Sequence, residues 1–106
     1  MKYYHAATPD TMEKILNDGV LKKSPWDGVV YLCKDPIDAC KFLVVRGFTC
    51  LKVIEVELDE NEVMESFDHS EAFFQCKAYM YPGNIELTGS EPVEDYSFNL
   101  ERRAAE

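Results

Sequence analysis

"KYYHAATPDTMEKILNDG", residues 2–19, places a strand, a histidine and a capped helix in direct succession. Residues 2–7 read as a short first strand. Thr8 then stands where an N-cap belongs, and Pro9 takes the first helical position, where a missing N–H costs nothing. Met12, Ile15 and Leu16 recur at helical spacing, Asp10 and Glu13 suit the positive end of the helix dipole, and Gly19 fits the C′ position. The same grammar returns in "VVYLCKDPIDACKFLVVRG", residues 29–47. There a short, largely buried strand at 29–32 is followed by Asp35 as N-cap and Pro36 at N1. The helix runs to about Val45, with Gly47 as its stop. The repetition is one of capping, and no repeat fold is inferred from it. "KKSPWDG", residues 22–28, is the turn-rich loop between the two units and carries the only tryptophan, Trp26.

Strands dominate the second half. "CLKVIEVELD", residues 50–59, alternates Ile54, Val56 and Leu58 against Glu55 and Glu57. "ENEVMESFDHSEA", residues 60–72, reads as an acidic turn with one helical turn, leading into an ordered loop. "FFQCKAYMY", residues 73–81, is a second long strand, "PGN" a turn, "IELTG" a short strand, and "EPVEDYSF" a last edge strand, where proline is tolerated. Helices early and strands late predict an α+β class with a largely antiparallel, strongly twisted sheet. Residues 1–98 form one domain on this reading, and "NLERRAAE", 99–106, is a frayed or disordered tail.

A chain of 106 residues suffices for one compact domain, which buries above ~60% of its unfolded surface without staples. No apolar run approaches the ~18 residues of a membrane span. The start "MKYYHAATPD" has no apolar h-region, so a cytoplasmic protein without a signal peptide is expected. The net charge of −9, from 20 acidic and 11 basic residues, argues against nucleic acid as a partner, because phosphate backbones are met by Lys and Arg. Much of the acid lies in "EVELDENEVMES" and "SEPVED", the pattern of a solvated face. The four cysteines, at 33, 40, 50 and 76, include no C-x-x-C pair. They read as free buried thiols rather than zinc ligands.

Several residues invite a functional reading beside a plain one. His5, at a strand end ahead of a helix cap, is either a ligand-binding imidazole or a half-exposed ring bonded to a neighbouring carbonyl. In "SFDHSEAFF", residues 66–74, Asp68 caps a turn through its own backbone, or the loop brings His69 over a cleft near His5. Trp26 either packs between elements or covers a ligand. Phe73, Phe74, Tyr79 and Tyr81, at strand spacing, read as core and cross-strand pairs.

"YYHAATPDTMEKILNDGVLK" followed by "GVVYLCKDPIDACKFL" resembles the opening of the ADP-ribosyltransferase-like superfamily, in particular its small bacterial and phage members. Residues 3–45 carry the likeness, and the later strands agree only in order. The resemblance implies a split antiparallel β-sheet with two early helices, and NAD as substrate. It gives His5 the adenosine-side ribose and Tyr31 the nicotinamide, which an aromatic face suits. A cleft lined by His5, Thr8, Tyr31, Trp26 and His69 is therefore expected to bind NAD and pass ADP-ribose to an acceptor. Two departures stand against transfer. Ala7 occupies the position two after the histidine, where the family usually has Thr or Ser, although Thr8 is adjacent. The family's glutamate position falls on Lys77 or Ala78, leaving Glu71 or Glu86 to substitute if the loops bring one in. RNA 2′-phosphotransferases of this superfamily dispense with the glutamate, but use a basic cluster that this acidic chain lacks. The alternative is a degenerate member that keeps the fold as a protein-binding or regulatory module, its acidic surface meeting a basic partner.

Overall fold

The chain's computed structural model describes residues 1–66 and 78–98. Both capped helices form where the sequence places them. The Thr8 hydroxyl accepts the Thr11 N–H ahead of α1 (Pro9–Asp18), and the Asp35 carboxylate accepts those of Ile37 and Asp38 ahead of α2 (Pro36–Val44). Each cap satisfies N–H groups that have no intrahelical acceptor. Gly19 ends α1 at φ 71°, its N–H bonded to the Ile15 carbonyl, a left-handed conformation that favours glycine. After α2 the chain turns through Arg46, whose N–H bonds Leu43, and Gly47, whose N–H bonds Val44.

The strands are β1 (Lys2–Ala7), β2 (Val20–Leu21), β3 (Val29–Leu32), β4 (Cys50–Glu57), β5 (Met64–Ser66), β6 (Ala78–Pro82), β7 (Ile85–Glu86) and β8 (Val93–Ser97). They make a mixed α+β topology of antiparallel sheets. One has the order β1-β4-β8, a second β3-β6-β5, and a two-stranded ribbon joins β2 to β7. His5 pairs with Ile54 in the first sheet and Tyr31 with Met80 in the second. Among the described residues β1 and β3 meet at a single bridge. Tyr4 and Cys33 exchange both backbone hydrogen bonds there, at 2.7 and 3.0 Å, and the strands pair no further.

The first sheet is covered on both faces. Ile54 and Val56 of β4 pack with Tyr3, Ala7 and Met12, so α1 lies on that side. Leu51 and Val53, of opposite parity, pack with Cys40 of α2 and with Tyr4 and Ala6. The face that ends in Glu55 and Glu57 is therefore solvated only at its far end, because α2 shelters the nearer part. Strand parity and helix stripe meet as amphipathic patterning requires.

Two local readings need correction, and one short strand, β2, went unread. Residues 60–66 contain the expected acidic turn, a 3-10 turn at Glu60–Glu62 capped by Asp59, but Met64–Ser66 then form β5 against β6. The partner strand's backbone recruits a segment with no side-chain alternation of its own. The ribbon strand β2, two residues long, is too short to show a period. Cys33 and Cys40 are buried as expected, whereas Cys50 is exposed. The N-terminal part of the 73–81 strand, Cys76 and the 99–106 tail lie outside the described residues. Among the described residues no helix is long and apolar enough to cross a membrane.

Candidate functional site

From the Tyr4–Cys33 bridge β1 and β3 separate, and α2 and the start of β6 line the space with them. The result is a cleft of about 360 Å³ whose walls include His5, Tyr31, Phe42, Leu43, Arg46 and Ala78. That volume lies within the range of small-molecule sites, which combine a largely apolar lining with a few polar groups. A wider depression of about 530 Å³ lies beside α1 and includes Asp10, Glu13, Lys52 and Asp95. Its lysine is already held by Asp95 at 2.6 Å, which leaves it the weaker candidate.

His5 and Tyr31 come together in the cleft. The His5 Nδ1–H donates to the Tyr31 carbonyl at 2.9 Å. This makes the plain reading of a carbonyl-bonded histidine true, and it places the ring in the cleft as well. With Nδ1 carrying the proton, neutral His5 keeps a lone pair on Nε2. Burial pushes the imidazole below its ordinary range, and the Tyr31 carbonyl pulls weakly the other way. The neutral, hydrogen-bond-accepting form therefore prevails at pH 7. Tyr31 is held at its other end too, since its hydroxyl donates to the Asp27 carboxylate. That bond is the main cause of the lowered Asp27 pKa.

The other expected cleft residues that are described, Thr8 and Trp26, fall elsewhere. Thr8 does not line the cleft. Its hydroxyl is spent on the α1 cap, accepting the Thr11 N–H and donating to the Thr11 hydroxyl at 3.0 Å. Trp26 is 92% exposed and neither packs between elements nor lines the cleft. Its loop does reach the rim through the neighbouring Asp27. His69, Asp68 and Glu71 lie outside the described residues. Ala7 is buried in the core with Tyr3 and Met12. Ala78, one of the two positions matched to the family's glutamate, is buried and lines the cleft. Glu86 belongs to β7 and lines a separate depression with Glu55, Glu57 and Glu91, so it does not substitute. Among the described lining residues none is an aspartate or glutamate.

Sequence reasoning missed the α2 wall. Ala39, Phe42 and Leu43 stand at i, i+3 and i+4 on one stripe of α2, and Arg46, at i+7, follows in the turn just past its end. That spacing was legible, but which side of α2 would face the core and which a cleft was not. The chain matches no family model, no characterised protein and no solved structure in the comparisons made.

Proposed function

We propose that this chain is a small ADP-ribosyltransferase-like protein that binds NAD in the cleft between its two three-stranded sheets. The observation that carries this reading is the convergence of His5 and Tyr31, 26 residues apart in the chain, on one cleft, with the imidazole bonded to the tyrosine's carbonyl. The divided antiparallel sheet, joined at one bridge between β1 and β3, agrees with the split sheet that the resemblance implies. In this reading the His5 Nε2 accepts a ribose hydroxyl and the Tyr31 ring packs against nicotinamide, whose cationic character suits an aromatic partner. Tyr31 is pre-organised for the task by its ties to Asp27 and His5, which lowers the ordering cost of binding.

Transfer of ADP-ribose needs a group to steer the acceptor. Ala78 supplies no carboxylate, and this favours the second reading, in which the cleft binds the nucleotide without transferring it and the acidic surface meets a basic protein partner. Thermal unfolding with NAD, ADP-ribose and nicotinamide tests the first step. A binder's midpoint climbs with ligand concentration, by about 2.7 kcal/mol of added stability at a hundredfold excess over Kd. His5→Ala and Tyr31→Ala are expected to abolish the shift. An unmoved midpoint at millimolar NAD would overturn the reading. Nicotinamide release then separates an enzyme from a binding module.

A further inference from the structure

Arg46 is the one arginine or lysine among the described residues that line the cleft. The chain carries 20 acidic residues and a net charge of −9, so a cleft whose described lining residues include no aspartate or glutamate, with Asp27 tied to the Tyr31 hydroxyl at the rim and a guanidinium at its edge, runs against the protein's overall field. Most other described bases are engaged. Lys2 pairs with Glu55 at 3.6 Å, Lys22 with Asp18 at 3.5 Å, Lys41 with Asp38 at 2.9 Å and Lys52 with Asp95 at 2.6 Å. Lys34 sits over the Tyr79 ring at 4.8 Å. No ion pair among the described residues uses the Arg46 guanidinium.

Arg46 also continues the stripe of Ala39, Phe42 and Leu43, so one wall grades from apolar to cationic as α2 ends. A ligand matching that wall has a flat, weakly polar portion and an anionic group attached to it. The planar guanidinium fork offers paired N–H donors that match phosphate oxygens. At about 360 Å³ the cleft encloses a ring and its sugar, which leaves a charged extension at the exposed rim where Arg46 stands. We infer that Arg46 holds a phosphate group of the cleft's ligand and makes the site select a nucleotide over a nucleoside. This rests on the nucleotide reading above and adds the residue that recognises the phosphates.

The test is calorimetric titration of the full chain with ADP-ribose, adenosine and inorganic pyrophosphate. Wild type is compared with Arg46→Gln, and with Lys14→Gln as an exposed control for the lost charge. ADP-ribose is expected to bind wild type at least about tenfold more tightly than adenosine, with a preference that weakens as salt is raised. Arg46→Gln should erase the preference while leaving adenosine binding intact, and Lys14→Gln should change neither. Because Arg46 is exposed, its variant should melt with the parent. Equal ADP-ribose binding by wild type and Arg46→Gln overturns the inference and leaves the nucleotide reading standing. If neither nucleoside nor nucleotide binds wild type, the nucleotide reading fails. In that case Arg46-dependent pyrophosphate binding supports the phosphate site, and its absence overturns the inference as well.

Discussion

His5 illustrates how a side chain held by a backbone hydrogen bond can also line a cleft. Its bond to the Tyr31 carbonyl fixes the tautomer, and burial holds its pKa below the ordinary 6.5. The linkage has a definite sign: the unfolded chain binds the proton more readily, so stability falls as pH drops through 6.5 and goes on falling until the folded pKa is passed. Urea unfolding of wild type and His5→Gln between pH 7.5 and 5 should show the steeper loss in wild type, and parallel slopes would refute the assignment. The thiols are ranked by the same physics. Burial pushes Cys40 up to about 11, and Cys33 is 2% exposed. Among these and exposed Cys50, iodoacetamide should label Cys50 first, with Cys33 and Cys40 reacting only on unfolding. Peptide mapping by mass spectrometry gives the order.

The helices show local signals at their clearest. Removing the Asp35 carboxylate leaves two N–H groups of α2 uncapped, so Asp35→Ala is expected to cost about 1 kcal/mol in chemical denaturation. Gly19→Ala meets no steric obstacle but is strained at φ 71°, and should lose about 1 kcal/mol. Trp26, by contrast, contributes little to folding at 92% exposure. Trp26→Ala should stay within about 0.5 kcal/mol of wild type, and a larger loss would show that the indole packs in solution. Met12 and Leu51 are almost wholly buried on opposite faces of the β4 sheet. Each alanine variant is expected to cost about 2–5 kcal/mol.

Charge is distributed over the whole molecule rather than balanced within it. The ion pairs are partly to largely exposed, a setting in which such pairs contribute little. Glu55, Glu57, Glu86 and Glu91 crowd one depression. Self-repulsion is therefore expected to outweigh pairing, and salt to screen it. Raising NaCl from about 20 to about 300 mM should lift the thermal midpoint, whereas a fall would mean that the pairs dominate.

What could be read from the chain alone was what neighbouring residues enforce on one another. The caps at Thr8 and Asp35, the prolines after them, the stop at Gly19 and the alternation along 50–58 each act within a few positions, and each appears in the structure. The α+β class followed from the order of such local patterns, whereas Tyr31 became a candidate, and His5 a stronger one, through the family resemblance of residues 3–45. The divided sheet, the sheltering of Leu51 and Val53 by α2, and the addition of Met64–Ser66 to β6 were decided by contacts between distant segments. So was the sorting of expected site residues: Ala7 went to the core and Trp26 to solvent, while Phe42, Leu43 and Arg46 formed a wall that local pattern did not reveal. A strand or helix pattern states which residues share a face. Only packing against remote elements decides whether that face becomes core, surface or cleft.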